Sequence, residues 1–70
     1  MFRQSVVSSN VRSVGHDSAS NTLEVEFRNG SVYHYYGVPQ QKYHALVNAH
    51  SVGTYLSAHI KGIYNYRRIV

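Results

Sequence analysis

The fold is decided by residues 22–36, TLEVEFRNGSVYHYY, in which two alternating runs flank an Asn-Gly pair. The first run places Leu23, Val25 and Phe27 on one side, because successive side chains of a strand point to opposite faces. Asn29-Gly30 is the preferred pair of a two-residue type I′ hairpin turn. The stretch therefore predicts a β-hairpin.

A two-residue turn also fixes the register of the hairpin and with it the face that each side chain occupies. The predicted core face consists of Leu23, Val25, Phe27, Val32, His34 and Tyr36. Tyr33 and Tyr35 are then expected on the outer face, opposite Glu26 and Glu24. This outer face is a candidate aromatic surface for RNA bases, and it suits an oligomer interface equally well.

A further strand is predicted on the N-terminal side of the hairpin. Residues 10–16 contain Val11 and Val14 and indicate the first strand of a meander. Residues 1–5 are expected to fray, although Val6 and Val7 can begin a strand.

Two helices are predicted after the hairpin. Pro39 suits the first turn of a helix, where its missing N–H has no intrahelical partner. The apolar stripe of this helix is Tyr43, Leu46, Val47 and His50. The second helix has Ser51 as its N-cap and the buried stripe Leu56, Ile60 and Ile63. Residues 64–70 suit a short final strand or an extended arm, so the predicted fold is an α+β three-stranded antiparallel meander followed by two helices.

Length and composition predict a single small domain over residues 1–70. A chain this short buries only about 60% of its unfolded surface, and it has no cysteine to form disulfides or thiolate metal sites. We therefore expect stability to come partly from self-association into a homo-oligomer. No segment reaches the roughly 20 apolar residues of a membrane span, and we expect a cytoplasmic protein.

Catalysis and metal binding are not predicted. The carboxylates are one Asp and two Glu on a strand face, and no nucleophile motif surrounds any serine. His44 and His50 lie six residues apart, on different sides of a helix, and no metal-binding spacing occurs. The chain is therefore expected not to be an enzyme and to bind neither metal nor cofactor.

The charge balance indicates an anionic ligand. Seven Lys and Arg residues face three Asp and Glu residues, for a net charge of +4. The start of the second helix offers Ser51, Gly53, Thr54 and Tyr55, where free N–H groups and the helix dipole favour phosphate. Simple N-capping and a tight interhelical turn are the alternative explanation of the same residues, and the sequence alone favours it.

A cationic and aromatic cluster near the C-terminus adds to this prediction. Lys61, Tyr64, Tyr66, Arg67 and Arg68 interleave positive charges with rings. Arginine binds phosphate in a bidentate manner, and rings stack on bases. The alternative is that Lys61 complements a helix C-terminus and Tyr64 packs in the core.

The order of these motifs resembles the KTSC domain family, a short domain found at the C-terminus of some lysyl-tRNA synthetases and free-standing in bacteria and phages. The resemblance spans residues 6–64 and rests on Ser8-Ser9, Val14-Gly15-His16-Asp17, Leu23-Glu24-Val25-Glu26-Phe27, Asn29-Gly30, Val32-Tyr33-His34-Tyr35, Val38-Pro39, Ala49-His50-Ser51-Val52-Gly53-Thr54-Tyr55, Ile60-Lys61 and Tyr64. Three positions depart from the family pattern, namely His16, Ser57 and Lys61, where Tyr, Asn and Arg are usual.

The resemblance implies a role in RNA metabolism, through the fusion partner, and a role beyond packing for Ser51, Gly53, Tyr55 and Lys61. The leading hypothesis is a non-enzymatic module that binds nucleic acid or a nucleotide. Phosphate would lie at the start of the second helix and near Lys61, Arg67 and Arg68, with tyrosines stacked on bases. The alternatives are an oligomer that sequesters a phosphate-rich signalling nucleotide, as a phage anti-defence protein would, and a protein-interaction module.

Overall fold

The computed structural model describes all 70 residues and contains a five-stranded antiparallel sheet and two helices. The elements in chain order are β1 Arg3–Ser5, β2 Val11–Asp17, β3 Thr22–Phe27, β4 Val32–Tyr36, α1 Gln40–Val47, α2 Val52–His59 and β5 Tyr66–Arg68. Each strand pairs with its neighbours in sequence, and β5 returns beside β4 after both helices. The α+β class, the two helices and the short final strand are confirmed. The count of three strands before the helices is wrong, because β1 precedes them.

Strand β1 lies in the segment that was expected to fray. It pairs with β2 in the register Arg3 opposite Gly15 and Ser5 opposite Ser13. All three of its residues are exposed, so the sequence carries no apolar alternation that would reveal the strand. A Cβ at Gly15 would lie 2.6 Å from the carbonyl oxygen of Phe2, so this glycine is what allows the N-terminal segment to lie against β2.

A β-bulge explains why β2 alternates poorly. Val11 lies opposite Phe27 and Ser13 lies opposite Glu26, so Arg12 is an extra residue without a partner on β3. The bulge lets Val11 and Val14, three residues apart, both enter the core with no exposed surface. The strand itself was predicted correctly.

The predicted hairpin register is wrong by one residue. The Phe27 N–H donates to the Ser31 carbonyl at 2.9 Å, and the Gly30 N–H donates to the Phe27 carbonyl at 3.0 Å. A type I′ turn needs a positive φ at both central residues, whereas only Gly30 of this pair has one, at 91°. The loop is therefore three residues long, with glycine in the left-handed position.

This extra loop residue reverses the faces of β4. Tyr33 lies opposite Val25 and Tyr35 opposite Leu23, so both tyrosines point to the core side. His34 lies opposite Glu24 on the outer face. Tyr36, which is 39% exposed, lies on the same face opposite Thr22. The assignments of His34 and Tyr36 to the core and of Tyr33 and Tyr35 to the outer face are thus wrong.

Both helices cover one face of the sheet. Ser51 caps α2 as predicted, since its hydroxyl accepts the Thr54 N–H, and Pro39 occupies the cap position just before α1. His50 and Ile63 are exposed, so their assignment to the buried helix stripes is wrong. The core contains residues from both layers, namely Val11, Val14, Leu23, Val25, Tyr35, Val38, Leu46, Val52, Leu56 and Ile60.

The outer edges of β1 and β5 have no partner strand, and most exposed large apolar side chains lie beside these two strands. Phe2 is 90% exposed next to β1, and Tyr66 is 63% exposed in β5. Unpaired edges favour pairing with another chain, and the expected homo-oligomer stays a prediction. No helix is long and apolar enough to cross a bilayer.

Candidate ligand-binding cleft

The sheet and the end of α2 enclose a cleft of about 550 Å³ on the face that carries the helices. We call it the tyrosine cleft, and its lining residues are Phe27, Asn29, Ser31, Tyr33, Tyr35, Lys61, Gly62 and Tyr66. The helices leave this end of the sheet uncovered because α2 ends at His59 and the chain turns at Gly62, which has a φ of 78°. The chain then returns along the sheet as β5.

The rings of the cleft are placed by strand geometry. Tyr33 and Tyr35 are two residues apart on one strand, so they share a face, and Tyr66 lies directly opposite Tyr35. Ring centroids are 5.8 Å apart between Tyr33 and Tyr66 and 5.9 Å apart between Tyr35 and Tyr66. Phe27 meets Tyr33 edge-on at 5.6 Å, which is a favourable arrangement of two aromatic quadrupoles. Four rings therefore pack into one continuous aromatic wall.

The rings differ in exposure and in ionisation. Tyr35 is 3% exposed and forms the floor, whereas Tyr66 presents most of its ring to solvent. Burial raises the pKa of Tyr35, and the neighbouring phenols of Tyr33 and Tyr66 raise it further. The Tyr35 hydroxyl therefore stays protonated, and it is able to donate a hydrogen bond, across the physiological range.

Positive charge lies at the rim of the cleft. The Lys61 ammonium is 5.2 Å from the centre of the Phe27 ring, within the range of a cation–π contact. Arg68 lies opposite Tyr33 and therefore emerges on the same face of the sheet. The lining contains no Asp or Glu, so the charge of Lys61 is not neutralised within the cleft.

The carboxylates lie on the opposite face of the sheet. Glu24 contacts Arg3 at 3.3 Å and His34 at 2.8 Å, while Glu26 accepts the Ser13 hydroxyl at 2.8 Å. Arg67 lies opposite His34 and points to this face, away from the cleft. The side chains of Arg67 and Arg68 thus lie on opposite faces of the sheet.

A second, hydroxyl-rich depression of about 560 Å³ runs along α2, from its N-cap Ser51 to Ala58. We call it the serine pocket, and its lining residues are Ser8, Ser9, Asn10, Ser51, Gly53, Thr54, Ser57 and Ala58. A Cβ at Gly53 would lie 2.9 Å from Asn10 Oδ1 and 3.3 Å from Ser8 Oγ, so glycine here permits close approach of the loop before β2. The Ser51 hydroxyl is engaged with the Thr54 N–H at 3.3 Å.

The predicted site residues are not brought together in one patch. Tyr33, Tyr35 and Lys61 line the tyrosine cleft, whereas Ser51, Gly53 and Thr54 line the serine pocket. Tyr55 packs its ring against His59 at 4.4 Å, Tyr64 packs partly buried against the core, Arg67 lies on the outer face and Arg68 on the cleft face. The expected convergence of the helix start with the paired arginines is therefore absent, while the binding role of each residue stays a prediction.

Sequence reasoning missed part of each site. Phe27 was assigned to the core, and Asn29 and Ser31 were treated only as turn and strand residues. For the serine pocket, the Ser8-Ser9 pair of the family motif was the signal, but nothing in its local pattern connects it to α2. No group of three or more His, Cys, Asp or Glu is placed to hold a metal ion.

The fold defines a small α+β domain in which two helices cover one face of a five-stranded antiparallel meander. The chain belongs to the KTSC domain family, whose sequence profile matches residues 7–64. The structure matches a crystal structure of a KTSC domain protein from Yersinia pestis with a TM-score of 0.93 and 37% identity, over 99% of this chain and 97% of that one.

Two kinds of relative share the sequence. A protein of Stutzerimonas stutzeri is 40% identical over 70 residues, which cover 99% of both chains. A lysine–tRNA ligase of Trichormus variabilis is 38% identical over 59 residues, which are 84% of this chain but 10% of the ligase. The domain is thus similar both to a protein of its own length and to a small part of a much larger enzyme.

Proposed function

We propose that this domain binds single-stranded RNA or a nucleotide in the tyrosine cleft and performs no covalent reaction. The observation that carries the proposal is an aromatic wall with lysine at its rim and no carboxylate in its lining. Proteins that bind single strands combine these features, since rings stack on bases and cations accompany the phosphates.

The exposure of the rings supports stacking on a ligand. Tyr66 is 63% exposed, and Tyr33 is partly buried beside it, so a flat ring system has access to this wall. Each stacked base contributes about 1–3 kcal/mol. The cleft volume of about 550 Å³ is in the range of small-ligand sites and accommodates one or two bases.

Lys61 and Arg68 are the side chains best placed to contact the phosphates of a ligand in the cleft. Both lie on the cleft side of the sheet, and both are exposed. The serine pocket offers hydroxyl groups and a helix N-terminus, but no cation lines it. We therefore propose that the phosphates bind at the rim of the cleft and not at the start of α2.

One relative favours RNA as the ligand class. The ligase of Trichormus variabilis that contains a similar segment has tRNA as a named substrate. A single-stranded loop or end of an RNA presents unstacked bases, which suit an aromatic wall better than the base pairs of a duplex do.

The test compares two equally exposed side chains. Tyr66→Ala removes a ring of the cleft, and Ile63→Ala removes an apolar side chain of 62% exposure outside its lining. Binding of a labelled single-stranded RNA, measured by fluorescence anisotropy, should weaken about fivefold to 150-fold for Tyr66→Ala, as expected for one lost stacking contact. Ile63→Ala should bind as the wild type does.

Two results would contradict the proposal. The first is a wild-type protein that binds neither the RNA nor any mononucleotide. The second is an equal loss in the Tyr66 and Ile63 variants, which would show that binding does not depend on the cleft. Binding of one mononucleotide with weak salt dependence, and no RNA binding, would identify a pocket for a small nucleotide at the same wall.

A further inference from the structure

The side-chain amide of Asn29 is held in one orientation at the Phe27 end of the tyrosine cleft. Its Oδ1 accepts the Ser31 backbone N–H at 3.0 Å and the Ser31 hydroxyl at 2.6 Å. A backbone N–H can only donate, so the oxygen of the amide must face Ser31. The Nδ2 amino group is then the part of Asn29 that remains for a ligand, and it is a donor only.

The Lys61 side chain is a second donor at this end. The Lys61 ammonium lies over the Phe27 ring at 5.2 Å from its centre, and an ammonium has no lone pair. Ser31 is 6% exposed and gives its hydroxyl hydrogen to Asn29, so it offers a ligand no accessible acceptor. A base that enters beside Phe27 therefore meets hydrogen-bond donors.

On the basis of the proposed function, we infer that the tyrosine cleft selects guanine over adenine, with Asn29 and Lys61 as the specificity-determining residues. Guanine carries two adjacent acceptors, O6 and N7, and matches a pair of donors. Adenine places its N6 amino group beside N7, and asparagine normally binds that edge with its oxygen as well as its nitrogen. Here the oxygen is engaged by Ser31, so the adenine amino group would face donors and stay unpaired.

The pyrimidines fit this end less well. Cytosine also has adjacent acceptors, N3 and O2, but its single ring covers less of the aromatic wall than a purine does. Uracil separates its two carbonyl acceptors by a donor, N3–H. Guanine therefore combines the larger stacking area with the matching edge.

The test uses uridine-rich RNA oligonucleotides that differ only in one central base, titrated against the full chain by fluorescence anisotropy. The wild type should bind the guanine oligonucleotide roughly tenfold more tightly than the adenine one, the lower part of the range for one bidentate contact. Asn29→Asp keeps an oxygen for Ser31 and replaces the donor by an acceptor of the same shape. It should reduce the guanine-to-adenine affinity ratio to about 1 or below.

Asn65→Asp is the matched control. It adds the same negative charge beside Tyr66 but lies outside the cleft lining, so it should weaken all oligonucleotides alike and preserve the ratio. A wild-type ratio near 1, a preference for cytosine, or an unchanged ratio in Asn29→Asp overturns the inference and leaves the proposed function standing. Absence of binding to every oligonucleotide and to every mononucleotide overturns both.

Discussion

Arg67 and Arg68 are neighbours in β5 whose side chains leave the sheet on opposite faces. Arg68 lies opposite Tyr33 on the cleft side, and Arg67 lies opposite His34 on the outer side. Single substitutions by alanine each remove one positive charge from the same exposed strand. If RNA binds in the tyrosine cleft, Arg68→Ala should weaken binding much more than Arg67→Ala does.

The expected magnitude follows from one lost phosphate contact. Each single-strand phosphate neutralised by a cation contributes about 0.7 to the slope of log affinity against log salt concentration. Arg68→Ala should therefore make that slope shallower by about 0.7. At fixed salt, loss of a hydrogen bond between charged groups of about 1.5–3 kcal/mol corresponds to a complex roughly tenfold to 150-fold weaker. Arg67→Ala should change the slope and the affinity only slightly, because the sheet separates its charge from the ligand.

The assay is an anisotropy titration of labelled single-stranded RNA over salt concentrations from about 50 to 200 mM. Urea unfolding provides the control for stability, because the Arg68 Nε donates to the Val70 carbonyl at 2.8 Å and the variant loses this exposed hydrogen bond. Equal salt slopes in the two variants, or a larger loss for Arg67→Ala, would refute the assignment of the ligand to the cleft face.

Two predictions concern the fold. Gly15→Ala should lower the free energy of unfolding by about 1–3 kcal/mol, because the new Cβ would lie 2.6 Å from the Phe2 carbonyl oxygen. The same clash should expose the β1 amides to hydrogen exchange. Protected β1 amides in this variant would contradict that account. Tyr35 has a raised pKa in the folded state, so its contribution to stability is present below the ordinary tyrosine pKa of about 10 and is lost as pH rises through the higher folded value. Urea unfolding at alkaline pH should therefore show a steeper loss of stability in the wild type than in Tyr35→Phe, and parallel curves would show that the buried phenol is not responsible.

Local patterns predicted those parts of the fold that depend on neighbours in sequence. The alternation of residues 22–27 defined β3, and Ser51 capped α2 as expected from its side-chain chemistry. β1 gave no such signal, since three exposed polar residues pair with β2 through the backbone alone. A bulge at Arg12 disturbed the alternation of β2, although the strand was still recognised.

The candidate site was predictable in composition but not in arrangement. Basic charge and many tyrosines pointed to an anionic, base-containing ligand, and Lys61, Tyr33 and Tyr35 do line one cleft. The start of α2 was assigned to the same patch because its free N–H groups and the C-terminal cations both suit phosphate. The two depressions instead have no lining residue in common, because Gly53 faces Ser8 and Asn10 of the loop before β2 whereas Lys61 lies over Phe27.

The wrong prediction of the hairpin register and the aromatic wall of the cleft both arise from the hairpin loop. With a two-residue turn, Tyr33 and Tyr35 would point away from the helices, and no wall could form with Phe27. The actual loop keeps Asn29 at a negative φ and leaves only Gly30 in the left-handed region, which adds one residue and turns both tyrosines to the cleft side. The same loop places the Asn29 amide where Ser31 fixes its orientation. The position of the aromatic wall and the donor pattern at its end are therefore set together by residues 28–30, and a change of loop length should abolish both.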